Sequence, residues 1–137
     1  MDIKELKPTS IWHYFDAITG VPRPSKKEER IREFLLNFAK EQNLEVKVDK
    51  TGNVVITKEA TPGCEGAPTV ILQAHMDMVC EKNGDVKHDF ERDPIETYID
   101  GEWVKARGTT LGADNGIGMA AAMAVLADKE LKHGRIQ

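Results

Sequence analysis

The sequence predicts an α/β domain, because its hydrophobic pattern changes between helical and strand-like along the chain. Apolar residues at helical spacing occur in three segments, and alternating or short continuous apolar stretches lie between them. The 137 residues are 40% hydrophobic and 31% charged, which suffices for one core and a polar surface. No apolar run approaches the ~18–20 residues that a membrane span needs.

Two helices are expected in the first third of the chain. Ser10–Ile18 forms the first, and Gly20 follows its end. Ser25 and Glu28 have the spacing of a capping box, which predicts that a second helix begins there and continues to about Gln42. Its core-facing stripe consists of Ile31, Phe34, Leu35, Phe38 and Ala39.

Strands are expected in the middle of the chain. Leu44–Val48 alternates between apolar and polar residues, and a tight turn connects it to a partner strand at Asn53–Thr57. Thr69–Ala74 is continuously apolar, which is typical of a central strand covered on both faces.

A second hairpin and a third helix are expected in the last third. Thr97–Ile99 and Glu102–Lys105 form the hairpin, with Asp100-Gly101 as its two-residue turn. Ile117–Leu126 is apolar nearly all round, which predicts a buried helix. Arg135–Gln137 has the character of the start of a further strand.

Charge and cysteine content exclude several functional classes. A net charge of −4 disfavours binding to a phosphate backbone. Cys64 and Cys80 are too few for the disulfide framework of a small secreted protein. Met1–Glu5 has no apolar stretch behind it that could serve as a signal peptide. We therefore expect a cytoplasmic protein that binds neither nucleic acid nor membrane.

The first candidate site is His75 with Asp77, at the C-terminal end of the predicted central strand. Residues two apart in a strand project to the same side, so the two side chains can act together. A metal-bound imidazole commonly donates its other N–H to a carboxylate, which makes the pair a candidate metal site. So short a motif is also compatible with a histidine that ends a strand and an aspartate that begins a turn.

The second candidate site is Asp114, which lies in the glycine-rich segment Gly112–Gly118 just before the third helix. Its carboxylate could cap that helix or bind a metal ion. No Gly-Lys-Ser/Thr follows and the glycine spacing is not the dinucleotide fingerprint, so we exclude nucleotide binding. With His75, Asp114 suits a two-metal hydrolase, in which a carboxylate bridges two Zn²⁺ ions ~3.5–4 Å apart.

These residues lie in longer motifs that resemble the M20 metallopeptidases, and within them the aminoacyl-histidine (Xaa-His) dipeptidases. Related tripeptidases usually carry a second aspartate after the bridging one, where this chain has Asn115. The resemblance extends over essentially the whole chain and is carried by the motifs Val21–Lys26, Gln73–Val79, His88–Phe90, Asp93–Ile95 and Gly108–Gly118.

The resemblance implies a three-layer α/β/α catalytic domain with a mixed sheet, and roles for three residues. His75 would bind one Zn²⁺, Asp114 would bridge two Zn²⁺ ions, and Asp77 would serve catalysis by orienting His75. Co²⁺ or Mn²⁺ would suit the same ligands. The implied reaction is hydrolysis of a small peptide substrate, an Xaa-His dipeptide such as β-alanyl-histidine, by a homodimeric enzyme. The resemblance also implies a cis peptide bond between Asp114 and Asn115.

The sequence departs from the family after Asp114. The family has an adjacent Glu-Glu pair in that region, as base and ligand, whereas the only such pair here is Glu28-Glu29 in the second helix. We therefore expect residues 1–137 to be the N-terminal part of the catalytic domain, without the lid/dimerisation domain and the C-terminal half. Alone they should be inactive, with an unpaired sheet edge and an exposed apolar face. The alternatives are a non-catalytic remnant, a tripeptidase or an acyl-amino-acid amidohydrolase of the same family.

Overall fold

Three helices and two β-hairpins follow a short 3₁₀ turn at Ile3–Glu5 in the computed structural model, which describes all 137 residues. None of the helices combines the length and apolar character that crossing a bilayer requires. The elements in chain order are α1 (Thr9–Thr19), α2 (Glu29–Glu41), β1 (Glu45–Val48), β2 (Val54–Thr57), β3 (Thr97–Asp100), β4 (Trp103–Ala106) and α3 (Ala113–Ala127).

The core forms where α1 and α2 meet α3. Phe15 and Ile18 of α1 and Ile31 of α2 are completely buried in one apolar cluster. Burying a side chain of this size stabilises the fold by about 1.5–3 kcal/mol. The predicted stripe of α2 is confirmed, except that Phe34 is only partly buried at the edge of the cluster. Met119, Ala120, Met123 and Leu126 supply the α3 side of the core.

Both hairpins form, and one turn differs from its prediction. β1 pairs antiparallel with β2, within one residue of the predicted strands. In the second hairpin Asp100 pairs with Trp103, so the turn is Gly101-Glu102 and the predicted turn was wrong by one residue. Gly101 has φ +61°, and a glycine with positive φ at the first turn position is typical of a type II′ turn.

Thr69–Ala74 is not a continuous strand, so that prediction was wrong. Within it, Val70 and Leu72 hydrogen-bond to Arg135–Gln137, at N···O distances of 2.7–3.0 Å. Three residues form too short a ladder, and Ile71 is left 71% exposed. Ile136 also pairs with Lys58 at the end of β2 in the antiparallel sense. Arg135–Gln137 thus pairs with Val70 in the parallel sense and with Lys58 in the antiparallel sense, which is the mixed pattern expected of the sheet.

The capping box predicted at the start of α2 does not form. Glu28 accepts a hydrogen bond from the Lys26 N–H, and α2 begins at Glu29 without a side-chain cap. The Ser25 hydroxyl instead donates to Asp77, a residue far along the chain. The local pattern was misleading because a long-range acceptor competes for the same hydroxyl.

Helix α3 is the buried helix that was predicted, because every residue from Ile117 to Leu126 is buried or half-buried. Its inner face consists of Gly116, Met119, Ala120, Met123 and Leu126. Met119, Met123 and Leu126 of this face also border an open, mainly apolar cleft of about 860 Å³. Residues of β2 and the exposed Ile71 and Leu72 line the same cleft. The expected unpaired edge and apolar face are therefore both present.

The turn between β1 and β2 should make stability depend on acid. Asp49 Oδ1 accepts hydrogen bonds from the backbone N–H groups of Thr51, Gly52 and Asn53, and Oδ2 accepts one from the Asn53 amide. Hydrogen bonds from Asn53 lead the causes that lower the pKa of Asp49. Because the folded pKa is depressed, this contribution is complete above the unfolded value near 3.9 and is lost as pH falls through the folded value.

We predict that Asp49→Asn lowers the thermal midpoint at pH 7 and flattens its decline below pH 4. Thermal melts between pH 2 and 7 test this. Asp85→Asn, which removes an exposed carboxylate without hydrogen bonds, is the control. If the thermal midpoint of Asp49→Asn declined below pH 4 as steeply as that of the unmodified chain, the stabilising role given to the Asp49 carboxylate would be contradicted.

Candidate metal centre

The three residues singled out by the sequence lie together beside the start of α3. His75 and Asp77 belong to an irregular segment after Val70–Leu72, and Asp114 lies 39 positions after His75. The His75 Nδ1 atom is 3.0 Å from Asp77 Oδ1, and its Nε2 atom is 3.1 Å from Asp114 Oδ1. Each nitrogen of the imidazole therefore faces a carboxylate.

His75 and Asp77 stabilise each other's charged forms. Hydrogen bonding to Asp114 is the main cause that raises the pKa of His75, and Asp77 adds to it. The pKa of Asp77 is lowered, first by the Ser25 hydroxyl and then by His75. In the absence of a metal ion, both ring nitrogens of a protonated His75 can donate to carboxylate oxygens.

The geometry fits one metal ion held by His75 and Asp114. Two ligand atoms of a tetrahedral Zn²⁺ at 2.0–2.1 Å lie about 3.3 Å apart, close to the separation of Nε2 and Oδ1. The Asp114 side chain is 96% exposed, which leaves its other oxygen accessible. Asp77 on Nδ1 is the usual outer partner of a metal-bound imidazole. No group of three metal-ligating side chains forms.

The helix-capping alternative for Asp114 is wrong. Its side chain makes no capping hydrogen bond, and Asp114 and Asn115 both have non-helical φ and ψ, so the regular part of α3 begins after them. Asn115 Oδ1 instead accepts a hydrogen bond from the Gly118 N–H at 3.1 Å. The peptide bond between Asp114 and Asn115 is cis, as expected. The carboxylate of Asp114 is consequently free for another partner.

Arg23 is a buried residue of the site that the sequence reading missed. Its side chain reaches across both ligand-bearing segments: Nη1 donates to the carbonyls of Met76 and Asp77, each at 3.3 Å, and Nη2 donates to that of Gly112 at 2.7 Å. Burial lowers the pKa of Arg23, and the charge of Asp77 opposes that shift. The available signal was an arginine between Pro22 and Pro24, in a segment read as a chain break.

Ser25 was also missed, because its pattern matched a capping box. Its Oγ donates to Asp77 Oδ2 at 2.5 Å, while Asp77 Oδ1 accepts from His75. The main chain supports this contact, since the Met78 N–H donates to the Arg23 carbonyl and Pro24 pairs with Met78.

Other candidates make no hydrogen bond or ion pair with the site. The Cys80 thiol donates weakly to the Met78 carbonyl, and partial burial raises its pKa, so it is a poor thiolate ligand. His88 packs against Phe90 with ring centroids 4.5 Å apart. Arg107 pairs with Glu96, as expected of a surface ion pair.

Comparison with known proteins confirms the predicted resemblance. No protein-family model matches the chain. It is 53% identical over 136 residues to the cytosol non-specific dipeptidase of Escherichia coli K12, with 99% of this chain and 28% of that protein aligned. The crystal structure of an aminoacylhistidine dipeptidase from Vibrio alginolyticus superposes with a TM-score of 0.97 at 57% identity, covering 99% of this chain and 28% of that one.

More distant structures share the fold. An aminopeptidase (PepT) from Bacillus cereus matches with a TM-score of 0.71 at 26% identity, and a tripeptidase from Staphylococcus aureus with 0.74 at 23% identity. Both comparisons cover 93% of this chain and 34% of the other. The predicted α/β class is confirmed, and the chain spans about 28% of the length of its two more similar relatives.

Replacing Arg23 should destabilise the protein strongly. Arg23→Met leaves three carbonyl oxygens without their donor, and we predict a loss of about 3–5 kcal/mol in the free energy of unfolding. Urea denaturation measures it. Arg92→Met is the control, because Arg92 is 82% exposed, and it should change stability by less than about 0.5 kcal/mol. Equal effects of the two substitutions would contradict the role given to Arg23.

Gly112→Ala should cost more than Gly101→Ala. Both glycines have positive φ, which alone costs an alanine about 1–2 kcal/mol. A Cβ at Gly112 would also lie 2.5 Å from Arg23 Nη2, whereas nothing lies within 4 Å at Gly101. We predict an extra loss of about 1–3 kcal/mol for Gly112→Ala in the same denaturation assay. Equal losses would mean that Arg23 does not limit the space at Gly112.

Proposed function

We propose that the chain is part of the catalytic domain of a cytoplasmic M20-type metallo-dipeptidase, in which His75 and Asp114 bind metal and Asp77 orients His75. One observation carries the assignment: both ring nitrogens of His75 face carboxylates, at 3.0 and 3.1 Å. The similarity of the whole chain to parts of two dipeptidases supports the choice of family.

Zn²⁺ is the proposed metal, with Co²⁺ or Mn²⁺ as substitutes that suit the same donors. When bound, the ion would acidify a water molecule and polarise the peptide carbonyl. Asp77 keeps the Nδ1 proton of His75 in place, so that Nε2 presents a lone pair. The proton that Nε2 shares with Asp114 must leave first, and metal binding should weaken as pH falls.

The proposed substrates are small peptides, in particular Xaa-His dipeptides. The Vibrio relative is named for aminoacylhistidine substrates, and the E. coli relative is named a non-specific dipeptidase. Identities of 53% and 57% to these dipeptidases, against 23% and 26% to the tripeptidase and the aminopeptidase, favour dipeptides over longer peptides. We place residues 1–137 in the N-terminal part of the catalytic domain of a homodimeric protein, whose lid/dimerisation domain lies outside them.

Residues 1–137 should not hydrolyse peptides by themselves. A catalytic Zn²⁺ usually has three protein ligands, and this chain brings two together. The family resemblance assigns the general base to a Glu-Glu pair after Asp114, which this chain does not contain, and a general base is typically worth ~10²–10⁴-fold in rate.

The proposed function is tested by metal titration and by an assay for peptide cleavage. We predict that His75→Ala and Asp114→Ala each weaken Zn²⁺ binding at least tenfold in isothermal titration calorimetry, because each removes a direct ligand. His13→Ala, at an exposed histidine on α1, is the matched control and should bind as the unmodified chain does.

The same samples are incubated with β-alanyl-histidine, and we expect no cleavage. Zn²⁺ binding that survives both ligand substitutions would contradict the metal assignment. Cleavage that depends on Zn²⁺ and disappears in His75→Ala would contradict the prediction of inactivity and strengthen the dipeptidase assignment.

A further inference from the structure

We infer that Arg23 and Ser25 are positioning residues for the candidate metal centre: Ser25 fixes the carboxylate of Asp77, and Arg23 joins the segment carrying His75 to the segment carrying Asp114. The inference deepens the proposed function and rests on it, because it concerns the residues that would hold the metal ligands.

Ser25 completes a chain of contacts that ends at the metal-binding nitrogen. Its hydroxyl donates to Asp77 Oδ2, and His75 Nδ1 donates to Asp77 Oδ1. With both oxygens engaged, the carboxylate cannot rotate without breaking a hydrogen bond. The His75 ring, and hence the direction of Nε2, is held by this carboxylate and by the Asp77 main-chain oxygen, which also lies 3.0 Å from Nδ1. Ser25 supports the carboxylate part of this restraint.

The turn that presents Ser25 has an unusual backbone. The Lys27 N–H donates to the Pro24 carbonyl at 2.9 Å, which closes a turn around Ser25 and Lys26. Lys26 has φ +72°, a left-handed conformation that side chains other than those of Gly, Asn and Asp seldom adopt. Such conformations persist where surrounding contacts impose them, and they cluster at functional sites.

Arg23 fixes the relative position of the segment that carries His75 and the segment that carries Asp114. It is 1% exposed, and its guanidinium bridges the carbonyls of Met76 and Asp77 to that of Gly112. Gly112 lies two residues before Asp114, and Asp77 lies two residues after His75. The spacing between Nε2 and Oδ1 therefore depends on a side chain that touches neither atom.

Metal sites require this kind of support. Ligand groups must be held within ≈ 0.5 Å of their working geometry, and loss of an outer hydrogen-bond partner typically lowers metal affinity 10–100-fold. The Ser25 side chain lies at the surface, so its removal should leave the fold intact and isolate the positioning effect.

The experiment is a Co²⁺ titration of the 137-residue chain, followed by visible absorption. Ser25→Ala is expected to weaken Co²⁺ binding about tenfold, with an unchanged thermal midpoint. Ser25→Thr, which keeps the hydroxyl, should stay within about threefold of the unmodified chain. Ser10→Ala, at the only other serine, is the control. If Ser25→Ala binds normally while His75→Ala does not, the role of Ser25 is overturned and the metal assignment stands.

If the unmodified chain binds no Co²⁺, the metal assignment is refuted. The role of Ser25 is then decided by a measurement without metal. The His75 Nδ1 proton should be protected from solvent exchange in NMR spectra of the unmodified chain and Ser25→Thr. It should exchange faster in Ser25→Ala, because the Asp77 carboxylate is then free to rotate, although the Asp77 main-chain oxygen remains as an acceptor. Equal protection in all three samples would overturn the inference.

Arg23 is tested by hydrogen exchange in Arg23→Lys, which keeps the charge and loses the planar fork of donors. Faster exchange confined to Met76–Met78 and Gly112–Asn115 would support a joining role. Uniformly faster exchange over the whole chain would overturn it, and so would exchange rates equal to those of the unmodified chain.

Discussion

The guanidinium of Arg23 is the contact on which the arrangement of the site depends. Burying a cation is unfavourable unless hydrogen-bond acceptors replace its water, and three main-chain carbonyls do so for the Nη atoms, while Nε is buried without a partner. Those carbonyls belong to two segments that no regular sheet or helix connects. The same contact explains the glycine-rich sequence before α3, because a Cβ at Gly112 or Gly116 would lie within 3 Å of Nη2. The glycines leave space for the Arg23 side chain. In a phosphate-binding loop, by contrast, glycines would surround a bound ligand.

Local patterns in the sequence were reliable where both partners of a contact are neighbours in the chain. The alternating residues of β1 and β2 predicted that hairpin, and the stripe of α2 predicted its buried face. The convergence of His75, Asp77 and Asp114 was predicted from motif resemblance, while their roles stay predictions. Arg23 and Ser25 were missed because their partners lie 52 to 89 positions away, and no local pattern encodes such contacts. Thr69–Ala74 was misread for a related reason, since strand-like composition forms a strand only when a partner pairs along its length.

The two parts of this structure that meet at the site differ in how tightly they are packed. The contact between α1 and α3 is packed and apolar, with Phe15 and Ile18 fully enclosed. The open cleft beside α3 is lined by Ile71 and Leu72, and strand pairing there is limited to a few backbone hydrogen bonds. His75 and Asp77 follow this weakly paired segment, so the packed half of the molecule must hold them through the contacts of Arg23 and Ser25.

The division of work between Asp114 and Asn115 has an electrostatic consequence. The neutral amide of Asn115 satisfies a backbone N–H of the first turn of α3, so the helix does not consume the neighbouring carboxylate. The Asp114 side chain, 96% exposed, has His75 as its hydrogen-bond partner and takes no part in capping the helix. Because the neutral amide satisfies the helix backbone, the exposed carboxylate beside it stays open to a cation from solvent.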